Sequence, residues 1–536
     1  MTEDTRDLAA FGYKQVLDRT LGSFSSFAAG FSYISVLTGV FQMFYVGYGA
    51  GGPAFCWTWP AVFLGQLTVA LCFAELAARY PLSGGIYQWS RSISSRGLGW
   101  MAGWVYLCGS VISLAAVALA LQATLPQIAP MFQVIGDSAV RSDGARNAVL
   151  LGCLLIALTT SINLVGVRLM ARINNIGVVA ELVGVAVLVA LLATRIRRGP
   201  AVLFETQGRG DGQSLGYLGP FMAAALMASY VMYGFDTAGA LAEETDDPRR
   251  RAPRAILQAL AAAAAAGGLL ILFGILAVGD PSRPELGRIS GGLPFLVKDV
   301  LGADLGTLLL VAVIFAVFVC ALAVQAGSVR LMFAMARDNN LPFARALSHV
   351  SARTRAPILP AVVIGGLAAT ILVMNVNLPH VIEMLCSVAI VWANLAYLMV
   401  TFPLLVARLR PKGSRPSSIA RRVLAFRDDG DAARHVTPRP YFSLGRFGLP
   451  INAIAVFWGL SVVINIGWPR PEIYGPDRWG RFAAPLATLA LIVPGATYFL
   501  LFQRKRTGIL AELAASEVPD GPNESSSCQL PVASCQ

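Results

Sequence analysis

Ser32-Tyr33-Ile34-Ser35-Val36-Leu37-Thr38-Gly39-Val40 interrupts an otherwise apolar run with hydroxyl groups and a glycine. Much later, Tyr230-Val231-Met232-Tyr233-Gly234-Phe235-Asp236-Thr237-Ala238-Gly239 does the same and adds a carboxylate. Gly39 and Gly234 stand 195 positions apart, about five spans with their loops at roughly 20 apolar residues per span. Matched interruptions in the first helix of each half of a membrane chain point to a transporter built from inverted repeats. Where a helix unwinds at membrane depth, its N–H and C=O groups lose their partners, which is tolerated only around a cavity or inside protein. The helix ends so created favour anions at N-termini and cations at C-termini, and a zwitterionic amino acid carries both charges. A lone glycine in a span would mean only close helix packing. Two matched clusters, one carrying an aspartate, favour a transport site.

The rest of the chain agrees. Of 536 residues, 56% are hydrophobic and only 13% charged, about half the charge of a soluble domain. Mean hydropathy is +0.63. Twelve apolar runs fall near 23–48, 54–78, 98–122, 147–166, 173–194, 217–240, 254–279, 304–334, 357–376, 380–406, 449–467 and 483–502. The expectation is an all-α polytopic membrane protein of about 12 transmembrane helices. Its parts would be an N-terminal tail (1–20), five spans (21–195), five more (196–406), a basic loop (407–448), two final spans (449–503) and a disordered tail (504–536). Thirty of the 42 Lys and Arg residues fall on the N-terminal side of these spans and twelve on the other. The positive-inside rule then puts both termini in the cytoplasm of a cell membrane. Arg195, Arg197 and Arg198 break the count locally and read as interfacial snorkelling. The basic loop reads as attachment to anionic lipid.

Composition also excludes classes. The net charge of +12 sits in loops, not on a basic reading helix, so no nucleic-acid partner is expected. Eight cysteines lie scattered without a C-x-x-C pair, and there are three histidines. No metal site, cofactor or disulfide framework is expected. The polar N-terminal stretch lacks a signal peptide's apolar core. No H-E-x-x-H helix, G-x-S-x-G elbow or Cys/His constellation is expected to argue for an enzyme, and no repeated filter or charged ring argues for a channel.

Five segments carry a family resemblance: GFSYISVLTGV (30–40), FAELAARYPLSGGIYQWS (73–90), GFDTAGALAEETDDPRRRAPRAI (234–256), RLMFAMARDNNLP (330–342) and FSLGRFGLPINAIAV (442–456). The chain resembles the amino acid–polyamine–organocation superfamily, in the amino acid/choline transporter branch that includes GABA and choline permeases. This resemblance implies a LeuT-like fold, with a five-plus-five inverted repeat, broken helices one and six, and two appended helices. It also implies secondary active transport of an amino acid or related organic amine by alternating access, as uptake or exchange. By the same resemblance the substrate-carboxylate loop falls on Val36, Leu37, Thr38 and Gly39. The substrate-capping aromatic falls on Tyr230, and the second break on Tyr233, Gly234 and Phe235. Relatives often carry a Gly-Ser-Gly type sequence in span one; this chain has Val-Leu-Thr-Gly. The breaks are expected near Thr38–Gly39 and Tyr233–Gly234.

An ionisable group inside a span costs at least about 2.5–3.5 kcal/mol on insertion scales, so each one asks for a function. Asp236 could bind a substrate amine, carry a proton or pair with a neighbouring span. Glu181 lies where resembling proton-coupled transporters often place a lysine. It could cycle a proton, help to bind a cation such as Na+, or pair with Arg330. Tyr230, Tyr233 and Phe235 offer aromatic faces suited to an ammonium group. Glu75 and the turn containing Gly84 and Gly85 read as structural gating elements. Glu243 and Glu244, beside Arg249–Arg251, read as a cytoplasmic salt-bridge lock.

Overall fold

A computed structural model describes residues 4, 8–9, 11–137, 140–351, 354, 356–377, 380–410, 441–474, 478–506, 508–510 and 513–514. The described residues are almost wholly helical. Ten helical segments are long and apolar enough to cross a membrane, and two shorter apolar helices, Leu218–Val231 and Ile358–Met374, join them. In chain order the helices are α1 (Ser23–Ile34), α2 (Val36–Gly51), α3 (Thr58–Arg79), α4 (Gly85–Ile93), α5 (Arg96–Ala118), α6 (Ala120–Ile128), α7 (Arg141–Val165) and α8 (Val167–Ala193). Then come α9 (Leu218–Val231), α10 (Thr237–Ala240), α11 (Pro248–Ala277), α12 (Gly292–Leu301), α13 (Ala303–Arg337), α14 (Ile358–Met374), α15 (Val381–Leu409), α16 (Gly448–Gly467) and α17 (Ala483–Leu501).

Local chemistry sets several of these ends. α3 stops at Tyr80, because the residue before Pro81 is pushed out of the helical region. α11 begins on Pro248, whose missing N–H costs nothing at a first helical position. Gly166, at φ +133°, divides α7 from α8.

Packing then centres the molecule on the two interrupted segments. α1 lies against α8, α11 and α13, and α2 against α9 and α6. α5 packs on α13 and α15, while α16 and α17 sit outside on α3, α5 and α15. Those outer helices expose Ile454, Phe457, Ile464, Leu489, Val493 and Leu500. Water would leave so continuous an apolar face uncovered; a bilayer covers it.

Most of the basic loop read at 407–448 lies outside the described residues, as does the tail from 515 onward. The near part of that tail turns back onto the fold. Leu510 N–H donates to Arg337 O at 3.0 Å, and Lys14 N–H to Leu513 O at 3.0 Å.

Candidate functional site

The first interruption is a single residue. Ser35 adopts φ 34° and ψ 96°, which ends α1 and starts α2. Its hydroxyl accepts the Thr38 N–H at 3.4 Å and donates to Glu181 Oε1 at 2.9 Å. Leu37 N–H donates to the same oxygen at 3.0 Å, and the Thr38 hydroxyl lies 2.6 Å from that of Ser35. Glu181, on α8, is buried, and its carboxylate meets the helix end that favours negative charge. Its Oε2 has no hydrogen-bond partner.

Two sequence expectations change here. The helix breaks at Ser35, not at Thr38–Gly39, which form the first turn of α2. A serine can hold the break because its side chain replaces the lost backbone partner. Gly39 serves packing, since a Cβ there would lie 2.7 Å from Val231 Cγ2 on α9. Nor does Glu181 pair with Arg330, which forks onto Glu244 at 2.8 and 3.2 Å.

The second interruption spans residues 232–236, between α9 and α10. Gly234 takes φ +90°, a left-handed conformation open to glycine at little cost. Its freed N–H donates to the Tyr397 hydroxyl at 2.9 Å. That hydroxyl donates in turn to Asp236 Oδ1 at 2.6 Å, and the Tyr106 hydroxyl donates to the same oxygen at 2.8 Å. Asp236 is 1% exposed, and its Oδ2 is without a partner. A carboxylate buried in this way is costly until a cation or proton reaches it.

Tyrosines surround the gap between the breaks. The Tyr33 and Tyr233 rings meet edge-on at 5.9 Å, and Tyr230 lies 6.1 Å from Tyr233. The Tyr233 hydroxyl donates to Ser113 at 2.9 Å, and that of Tyr230 to Gln42 Oε1 at 3.1 Å. A cavity of about 10 Å³, lined by Tyr33, Tyr106, Ser110, Asp236, Gly327 and Ser328 among others, separates the elements. That is room for roughly one water. Gly84, read as a turn residue, forms part of the wall. Tyr230, Tyr233 and Phe235 do not line it; the Phe235 ring packs behind, against Phe73 at 6.1 Å and Tyr397 at 5.5 Å.

A belt of ion pairs closes the end of the bundle nearest the N-terminal segment. Arg337 forks onto Glu243 at 2.8 and 2.9 Å, and Glu243 also accepts the Ser83 N–H at 2.9 Å. The Arg337 guanidinium lies 3.9 Å over the Tyr13 ring. Asp338 accepts from Arg91, from Tyr87 at 2.8 Å and from Tyr13 at 3.2 Å. Burial, with the Asp338 charge second, pushes the Tyr13 hydroxyl up to about 12. Thr20 and Leu21 donate backbone N–H groups to Glu244 O at 3.0 and 2.9 Å. The partners expected for this lock are therefore corrected. Glu243 and Glu244 turn inward to α13, while Arg250 and Arg251 stay near the surface with Asp247 and Asp246 at 3.6 and 3.3 Å. Arg249 stacks on Tyr441 at 5.1 Å. Glu75 joins α3 to α15 through Arg408 and also holds Arg79.

Sequence reading missed Tyr106, Tyr397 and Ser113, which arrive from α5 and α15. The available signal was a mid-span tyrosine, whose hydroxyl needs a buried partner. One string, Gly212-Gln213-Ser214-Leu215-Gly216, spells the G-x-S-x-G of hydrolases. It lies in a loop with Ser214 exposed and has no strand-to-helix elbow.

Residues 21–491 match the model of a family described as amino acid permease. The chain is 27% identical over 523 residues to amino-acid permease BAT1 of Arabidopsis thaliana, covering 93% of this chain and 94% of that one. It is 25% identical over 326 residues to the low-affinity putrescine importer PlaP of Escherichia coli (strain K12), covering 58% and 65%. Among solved structures, MhsT in complex with L-phenylalanine is similar in fold. Its TM-score is 0.54 at 15% identity, covering 84% of this chain and 98% of that one.

Proposed function

We propose a mechanism from one premise: the chain belongs to the amino acid permease family, within the amino acid–polyamine–organocation superfamily, and is a multi-pass membrane transporter, not an enzyme. It moves an amino acid or a related organic amine, such as GABA, choline or a polyamine, across the cell membrane by alternating access. Both termini lie in the cytoplasm.

One observation carries the reading. Asp236 Oδ2 is buried without a partner, beside a cavity that the Tyr33 and Tyr106 rings help to line. The missing partner is positive or a proton donor. In a site so desolvated an ammonium gains both the charge contact and the rings of Tyr33 and Tyr106, which line the cavity. Relatives described by amino acids and by putrescine have an amine in common, which supports the same class.

The same geometry supports alternating access. A cavity of about 10 Å³ is too small for any of these ligands. Admission requires the interrupted segments to part from α13 and α5. Glu181 and Asp236 are the groups proposed to take up and release the driving proton, with Na+ as the other candidate ion. The paired carboxylates Glu243 and Glu244 would re-form their arginine contacts each time that end closes.

The test is transport into liposomes by purified protein, offered amino acids, GABA, choline and putrescine under imposed H+ or Na+ gradients. Saturable accumulation that collapses with one gradient supports a coupled permease. Flux that never saturates, or never exceeds equilibration, overturns it. Release of preloaded substrate only when external substrate is present would mean exchange instead of uptake.

A further inference from the structure

Four buried carboxylates, Glu75, Glu243, Glu244 and Asp338, each face an arginine. Glu181 and Asp236 do not. Their hydrogen bonds come from Ser35 and Leu37 in one case and from two tyrosines in the other. Each keeps one oxygen buried and unpartnered.

Glu181 fills a place that suits an anion. The break at Ser35 opens the N-terminus of α2 at membrane depth, and N–H groups exposed there need an acceptor. Thr38 N–H goes to Ser35. Leu37 N–H and the Ser35 hydroxyl go to Glu181 at 3.0 and 2.9 Å. A substrate carboxylate would seek these same donors, and the protein's own carboxylate already holds them. A second carboxylate beside Glu181 would find those donors spent and a like charge facing it. An amine brings only donors, and two unpartnered carboxylate oxygens await donors.

We infer that Glu181 is a specificity-determining residue that stands in for a substrate carboxylate, so the site prefers organic amines lacking an α-carboxylate over the amino acids that carry one. This rests on the transport reading above and narrows its substrate class.

Matched pairs differing only by that carboxylate test it: putrescine against ornithine, agmatine against arginine, tyramine against tyrosine. Binding to wild-type protein in liposomes should favour the amine of the best-bound pair by about tenfold or more, the effect of losing one charged hydrogen bond. Glu181→Ala frees the donors and should cut that ratio about tenfold. Glu181→Gln keeps the side-chain shape and an acceptor while removing the charge, and should cut it by a smaller factor. The second variant serves where the first does not fold. An amino acid bound as tightly as its amine, or a ratio unchanged in whichever variants fold, overturns the inference while leaving transport intact. If no member of any pair binds, the inference fails, and the liposome transport assay decides the transport reading separately.

Discussion

The ring of Tyr33 lies so close to Gly234 that a β-carbon on the glycine would stand 1.9 Å from its Cδ1. Tyr33, two residues before the break at Ser35, thereby lies directly against the second interruption.

Gly234→Ala should therefore fail for two reasons. It forces an L-residue to φ +90°, at roughly 1–2 kcal/mol, and it displaces the Tyr33 ring. Membrane insertion should survive, with lowered thermal stability and no ligand binding. Adding Tyr33→Ala removes the collision but not the backbone strain, so it should restore only part of the melting temperature. Full restoration would mean that the left-handed backbone matters little.

Gly39 tests whether span one needs a glycine for flexibility or for contact. Gly39→Ala drives a methyl into Val231, and overpacking of this kind costs about 1–3 kcal/mol. Val231→Ala in the same chain opens the space. Thermal unfolding of the two singles and the double should reveal a favourable coupling above about 0.5 kcal/mol. Strict additivity would rule out the Val231 contact as the reason for a glycine at position 39.

Asp236→Asn keeps an oxygen able to accept from both Tyr106 and Tyr397 and removes the charge. Binding of cationic ligands should weaken by about 1.5–3 kcal/mol, the worth of a hydrogen bond to a charged group. Uncharged analogues should lose far less. Equal losses for both would make Asp236 a structural or proton-carrying group instead of an amine site.

The Glu243–Arg337 pair is fully buried on both sides. Breaking one member should destabilise the protein by about 3–5 kcal/mol, because the other is left charged and dry. Glu243→Gln combined with Arg337→Met should cost clearly less than the two changes summed, as read by thermal unfolding in detergent. Arg250→Met, near the surface, should barely register. A comparable loss at Arg250 would restore the lock first read from the sequence.

What the sequence alone determined follows from quantities that are additive along a chain. Hydropathy summed over about 20 residues marks a span wherever it ends up. A glycine and an aspartate inside an apolar run mark the second break because no ordinary span tolerates them without reason. Ser35 lies within the quoted stretch, where any of several hydroxyls could cap the helix. Only the tertiary structure decided between them, by bringing Glu181 from α8 to the hydroxyl of Ser35 and the N–H of Leu37. The same holds for the arginines. Arg249–Arg251 are nearest Glu243 and Glu244 in sequence, yet Arg330 and Arg337 win because the turn at Ala242–Glu244 points its carboxylates into α13. Tyr106 and Tyr397 meet Asp236 from 130 and 161 positions away. Partners of a buried charge are chosen by geometry in the dry interior, where an ion pair is strong and an unpaired group is costly, and sequence distance carries no record of that choice.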